Sequence, residues 1–530
     1  MTFDHVIVGA GSAGCVLANR LSANPHTRVL LLEAGPSDDS PLVRVPAGII
    51  ALMRSKRRNW RYWTAPQAAL DGRRVYIPRG KTIGGSSSVN AMIYTRGHPR
   101  DYDHWAELGN PGWSWDEVLP VFRRSENNTR GADHFHGVGG PLDVTDLSYV
   151  HPVSEAYLRA GLAAGIPAQR DFNGAEQEGI GLYQVTQVGG ERCNMARGYL
   201  TPVLDRPNLV VRTGCMAARV LLDGRRAVGV EYRERGERKS LEAGNVILAG
   251  GAINSPQLLL LSGIGGRAQL DAHGIGQRHD LPGVGQNLQD HPDAMIVVRS
   301  PRHDTMSLGA GSLPRTLRGA WQYARRRKGF LTTNVAEAGG FIKSRAGEDI
   351  PDLQLHQSAA LIDNHGLNWR FSMGWGFSAH TAVLRPKARG SVGLASADPL
   401  APPRIDPNLL GDPDDVQRLL RGVKIMRDVV RRPELAPWHG EEIFPGNEAR
   451  SDTELRAFLR ARTETIYHPV GTCKMGDDDM AVVDASLRVH GLDGLYVVDA
   501  SVMPTLIGGN TNAPTVMIAE KAADGILGRT

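Results

Sequence analysis

Apolar and polar positions are most regular at the amino end of the chain. Residues 3–8 (FDHVIV) form a short, mostly apolar run, the pattern of a strand covered on both faces in a parallel sheet. The turn Gly9-Ala10-Gly11-Ser12-Ala13-Gly14 follows, and residues 15–21 (CVLANRL) have helix-compatible spacing. A second apolar run at 28–32 ends on Glu33. The predicted unit is strand–helix–strand, with G-x-G-x-x-G at its first turn and a carboxylate at the tip of its second strand. Each part suits a dinucleotide. Gly9 makes the turn, Gly11 lets backbone N–H groups approach a pyrophosphate, and Gly14 lets helix and strand pack closely. Glu33 can accept both ribose hydroxyls. A purely structural glycine turn is the competing reading; the strand before, the helix after and the acid beyond favour the dinucleotide.

The same strand–turn–helix texture returns twice. Residues 245–249 (NVILA) run into Gly250-Gly251-Ala252 and then an apolar helical run at 258–261. Residues 494–499 (GLYVVD) form a strand ending in an acid, followed by a Gly/Asn/Pro-rich turn and a final helix from Thr515 to about Ile526. Parallel-type strands at the start, middle and end predict one nucleotide-binding domain assembled from separated segments, with a second domain between them. In the intervening sequence, residues 294–298 and 380–384 are strand-like. Val416, Leu419, Leu420, Val423 and Met426 mark an amphipathic helix from about Pro413 to Arg432. A sheet with helices packed on it is expected there.

Composition narrows the class. The 530 residues are 41% hydrophobic and 22% charged and include 62 glycines, which excludes a disordered or fibrous chain and anticipates close backbone approaches. No apolar run reaches the roughly 20 residues of a membrane-spanning helix, and a strand beginning at Phe3 leaves no room for a secretion signal. Four cysteines without metal-ligand spacing argue against a disulfide framework or a metal site, so a cytoplasmic location is expected. A net charge of +5 is too weak to point to nucleic acid. The charge is unevenly placed, however. Lys56-Arg57-Arg58 follows 49–53 (IIALM), and Arg325-Arg326-Arg327-Lys328 follows 320–324 (AWQYA). That makeup suits the surface of an anionic membrane, or equally a solvated basic face beside a cavity.

Five motifs then occur in order: 80–97 (GKTIGGSSSVNAMIYTRG), 251–256 (GAINSP) continuing to 262–265 (SGIG), 467–472 (YHPVGT), 498–501 (VDAS) and 510–515 (NTNAPT). On them the chain resembles the glucose–methanol–choline (GMC) flavoprotein oxidoreductases, from about residue 3 to 525. Through 334–341 (NVAEAGGF) and 510–515 it is most similar to bacterial FAD-dependent alkanol and choline-dehydrogenase-type alcohol dehydrogenases. The resemblance implies an α/β fold. A Rossmann-like FAD-binding domain would be assembled from residues 1–150, 205–300 and 465–530. An α+β substrate domain, a sheet flanked by helices, would come from 151–204 and 301–464. It also implies that FAD is held by Gly9, Gly11, Ser12, Ala13, Gly14, Glu33 and Ala34 from the opening unit. Further contacts would come from Gly85, Asn90, Ala91, Met92 and Val220, and from Asp499, Ala500, Asn510 and Thr511. Members that link FAD covalently can use a histidine just before the asparagine matching Asn90. Val89 stands there, so non-covalent FAD is expected.

Alcohol oxidation removes the hydroxyl proton and passes the α-hydrogen as hydride to the flavin, leaving the protein to take the proton and orient the oxygen. The resemblance makes His468 the base and Asn512 its partner, an amide that donates to the oxygen as charge develops on it. Glu337 reads either as a balance for a cationic alcohol or as a structural residue. His291, after 287–290 (NLQD), is expected to be structural, Tyr467 to pack near the flavin, and Cys473 to be buried. The expected activity is FAD-dependent oxidation of a primary alcohol to the aldehyde. Electrons would pass to a quinone or another non-oxygen acceptor, such as an artificial dye, with peripheral contact at the inner membrane. An oxygen-using oxidase of the same fold and a flavin-containing lyase are the alternatives, and the opening unit alone would also permit a nicotinamide enzyme.

Overall fold

The computed structural model describes residues 2–529. The opening unit folds as its pattern requires: β1 (Phe3–Val8), α1 (Ser12–Leu21) and β2 (Val29–Glu33). β1 lies parallel to β2 and to the distal half of the long strand Glu237–Leu248, which in turn pairs in parallel with Leu495–Val497. Leu209–Thr213 closes the far edge beside β2. The distal half of Glu237–Leu248 is apolar and buried at Val246, Ile247 and Leu248, whereas its proximal half is charged and leaves the core. That half continues as an antiparallel arm with Arg226–Glu234 and Cys215–Asp223.

Gly14 sits where α1 crosses the turn; a Cβ on it would lie 1.9 Å from the Gly9 carbonyl oxygen. The C-terminal helix Asn512–Ile526 packs beside α1. The two are tied by Arg20, whose Nη2 donates to Glu520 Oε1 at 2.7 Å and whose Nε donates to Glu520 Oε2 at 3.0 Å.

The second sheet is antiparallel and runs Glu442–Phe444, Pro292–Arg299, Gly376–Val383, Leu353–Ser358, Ala336–Ile342, Gly179–Leu182, with Glu464–Thr465 beside the start of Pro292–Arg299. Helices Pro413–Val430 and Pro152–Ala163 share a core with one face of it. Period-two alternation sends Leu353, Leu355, Phe377, Ala379 and Val383 into that core and turns His356, Ser358 and His380 to the other face, towards the first domain.

Two expected boundaries move. The strand Pro292–Arg299 pairs in the second sheet, so the division falls near residue 290 rather than 300. Residues Cys193, Met195, Ala196, Tyr199 and Leu200 join the core of the first sheet, so the segment 151–204 is shared between the two domains. Short apolar stretches flanked by glycine carry no mark of which sheet they will join.

Candidate active site

Between the two sheets runs one cavity of about 800 Å³, from the glycine turn and Glu33 to His468. At one end, Gly9 (φ +102°) and Gly85 (φ +53°) are closed in by backbone. A Cβ on Gly9 would lie 2.6 Å from Ala249 O, and one on Gly85 would lie 2.6 Å from Gly11 Cα. Gly11 itself has room: a Cβ there would meet only Ala249 O, at 3.8 Å. The Glu33 carboxylate accepts from Ala10 N at 3.0 Å and Gly35 N at 2.8 Å, and burial pushes it up to about 7 against those two donors. Ser12, Ala13, Ala34, Asn90, Ala91, Met92, Ala500 and Thr511 line the same space.

Asp499 also reaches the wall, but its oxygens accept from Gly251 N, Ser255 Oγ and Ser501 N, which fixes the turn rather than leaving the carboxylate free. Val220 does not meet the expectation. It is buried in the antiparallel arm, where its N–H donates to Ser262 Oγ at 2.8 Å, and only the first residues of that strand, Cys215, Met216 and Ala217, line the cavity.

At the other end His468 is buried, with its backbone N–H on Asp290 Oδ1. Its ring meets two partners. Nδ1 lies 3.0 Å from His291 Nδ1, and Nε2 lies 3.2 Å from Asn510 Nδ2. His291 Nε2 contacts the Ile507 carbonyl at 3.2 Å. A carbonyl only accepts, so His291 carries its proton on Nε2 and offers Nδ1 as acceptor. His468 must then donate from Nδ1, which leaves Nε2 as a lone pair aimed at the Asn510 amide. Burial holds His291 down to about 4. It also holds His468 well below the ordinary imidazole range, helped by the nearness of His291, His356 and Arg79. Both rings are neutral at physiological pH. The result is an imidazole whose tautomer is fixed from behind by a second histidine.

The partner of His468 is therefore Asn510, not Asn512. Asn512 begins the C-terminal helix and its Oδ1 accepts from Ser12 Oγ at 2.7 Å, at the dinucleotide end. Asn510 has its Oδ1 held by Thr95 Oγ1 (3.2 Å) and Gln354 Nε2 (3.0 Å), which points its Nδ2 at His468. The turn GGNTN offers two asparagines two residues apart, and only the backbone path around Gly508 and Gly509 selects between them. His291, expected to be structural, belongs to the site. Its sequence signal is its place directly after an acid and before Pro292, at the start of a strand.

Tyr467 (φ +75°) lines the cavity and hydrogen-bonds His365 Nδ1 at 2.7 Å. Cys473 is buried and its thiol is pushed up by burial. Glu337 faces away from the cavity: its carboxylate accepts from His151 N, Ser154 Oγ and Thr333 Oγ1.

A dinucleotide cradle and a buried, neutral histidine at opposite ends of one cavity fit a redox enzyme of the nucleotide-cofactor class. The sequence comparisons agree. The GMC oxidoreductase family model matches residues 3–293 at the amino side and 386–519 at the carboxyl side, and the chain belongs to that family. It is 49% identical over 529 residues to an alcohol dehydrogenase [acceptor] of Pseudomonas putida, covering 99% of this chain and 96% of the relative. It is 42% identical over 535 residues to an oxygen-dependent choline dehydrogenase of Photobacterium profundum, covering 100% and 94%. Among solved structures it is similar to pyridoxine 4-oxidase from Mesorbium loti, with a TM-score of 0.89, 34% identity and 98% of each chain covered.

The family cofactor is FAD, and the residues present fit it. Gly11 leaves a gap at the start of α1, whose first turn has neither a capping side chain nor an acid, so its N–H groups are free for a pyrophosphate. Glu33 would meet the ribose, and the cavity continues to His468.

Proposed function

We propose that this protein oxidises a neutral primary alcohol to its aldehyde in the cytoplasm, with non-covalent FAD and a quinone-type or other non-oxygen acceptor. The observation that carries this reading is the His468–Asn510 pair, with His468 Nε2 unprotonated and the Asn510 amide fixed beside it as a donor. When bound, FAD supplies the hydride acceptor. His468 Nε2 takes the hydroxyl proton of the alcohol. His291, held by the Ile507 carbonyl, keeps that nitrogen unprotonated beforehand and accepts the hydrogen bond from Nδ1–H as positive charge develops on the ring. The alcohol hydroxyl takes the place of the Asn510–His468 contact, and the Asn510 Nδ2 group, its Oδ1 held by Thr95 and Gln354, donates to the alcohol oxygen as it becomes negative.

The alcohol is neutral because the acidic residues lining the cavity, among those described, are Glu33 and Asp499. The first is at the dinucleotide end and the second is spent on protein donors. The walls beyond His468 include Ile49, Met53, Leu308, Phe330 and Ile362. A quaternary ammonium there would be desolvated without a counter-ion, at a cost on the order of 3 kcal/mol. In an anaerobic screen of alcohols, aliphatic and aromatic primary alcohols are expected to bleach the flavin with a kcat/KM about a hundredfold above that of choline. Equal rates would overturn the neutral-substrate assignment. A lyase would leave the flavin yellow, and peroxide formed in step with alcohol use would assign an oxidase.

Val89 supports dissociable FAD, since its side chain packs with Val43 and Leu52 and offers no nucleophile. Acid precipitation of the purified protein is expected to leave a colourless pellet beneath a yellow supernatant. Colour held in the pellet would mean a covalent link.

A further inference from the structure

The helix Leu313–Arg326 presents an apolar stripe to solvent. Leu313, Leu317 and Trp321, at i, i+4 and i+8, are 56%, 62% and 54% exposed, and Ala320 and Ala324 extend the same arc. Its opposite side is used: Gly319 and Tyr323 are buried, and Ser312, just before the helix, Arg315 and Thr316 line the cavity. Beside the stripe the charge is of one sign. No acidic residue occurs between Asp304 and Glu337, while Arg318, Arg325, Arg326 and Lys328 are exposed and make no ion pair among the described residues. The neighbouring cavity wall 49–54 leads into exposed Lys56 and Arg57, again with no acid nearby in sequence. Leu42, Leu308 and Thr316 both line the cavity and are exposed, so the cavity reaches the surface along this face. No helix among the described residues is long and apolar enough to cross a membrane.

We propose that this face docks on an anionic lipid bilayer. The Leu313–Arg326 helix would lie in the interface plane with its apolar stripe in the acyl boundary and its basic residues on the headgroups, so that the cavity mouth opens onto the membrane. The charge complementarity names the partner: an apolar arc flanked by unpaired cations, with the nearby Glu191 already taken up by Arg197 and Arg327, fits anionic lipid and is ill-suited to a second copy of the same basic surface. The inference rests on the alcohol-oxidising reading only for its consequence, that an apolar alcohol partitioned into the bilayer enters the cavity without crossing water.

The test uses the FAD-loaded full chain and sedimentation with vesicles of phosphatidylcholine alone or mixed with phosphatidylglycerol, at low salt. The wild type is expected to pellet with the anionic vesicles about tenfold more than with the neutral ones, and to be released by high salt. Two variants at exposed positions, Leu317→Glu with Trp321→Glu and Arg325→Glu with Arg326→Glu, should each lower that binding about tenfold. Both should keep wild-type flavin bleaching by a short, water-soluble alcohol. Binding that ignores lipid charge, or that survives both variants, overturns the proposal. So does a wild-type dimer that both variants convert to monomer without change in vesicle binding, which would make the face a self-association surface. Failure of the alcohol reading registers separately, as no bleaching by any alcohol in the wild type.

Discussion

Anaerobic bleaching of the bound flavin by alcohol is expected to slow about a thousandfold in His468→Ala, within the range a positioned general base contributes. The FAD content should be unchanged, because His468 lies at the far end of the cavity from the glycine turn that would hold the dinucleotide. The pH profile of the wild type carries a second signature. Burial and neighbouring positive charge lower the His468 pKa, so the ring stays neutral, and competent, below the ordinary imidazole value near 6.5. The reduction rate should therefore hold steady as pH falls through the ordinary imidazole value near 6.5 and decline only below it. An acid limb centred above 6.5, or a loss of only a few-fold in His468→Ala, would remove His468 from the role of base.

The second large effect is at the opposite end. Gly14→Ala places a methyl group 1.9 Å from a backbone oxygen, with no rotamer through which to escape. Overpacking of this kind typically costs about 1–3 kcal/mol, and more where both atoms are anchored. The variant is expected to lose FAD at least about tenfold and to unfold at lower temperature. Gly11→Ala is the control, because its Cβ would meet only Ala249 O at 3.8 Å in the protein itself. That variant should melt like the wild-type apoprotein yet bind FAD poorly, since its methyl group occupies the pyrophosphate gap. If both variants keep FAD, the dinucleotide does not bind at this turn.

Those two glycines belong to the part of the molecule that local sequence dictates. The opening unit is a local pattern, so its strands, its turn and Glu33 follow from adjacent residues alone. The helix expected at 413–432 is equally legible, observed as Pro413–Val430, because a 3.6-residue period survives whatever packs on it. The catalytic end is only partly legible. His468 stands out through its motif, but its two contacts, His291 and Asn510, lie 177 and 42 residues away. Choosing Asn510 over Asn512 requires knowing that Thr95 and Gln354 grip one amide, and Thr95 belongs to a motif 415 residues earlier. Val220 misleads for a related reason: an antiparallel arm leaves the cavity after three residues, and apolar alternation alone does not tell how far along a strand the ligand reaches. Glu337 reads either way until its three donors, brought together by the fold, decide it.

The clamp between α1 and the last helix has a consequence for synthesis. Ser12 meets Asn512 and Arg20 meets Glu520, each pair 500 residues apart. At about 5–20 residues per second, the ribosome takes ~25–100 s to deliver the second member of each pair. Until then the nucleotide-facing helix has an uncovered flank, and the wall carrying Asn510 does not exist. Cofactor loading is thereby deferred until the helix carrying Glu520 has been made, and a nascent chain interrupted before that helix would be an empty, aggregation-prone species rather than a partly working enzyme.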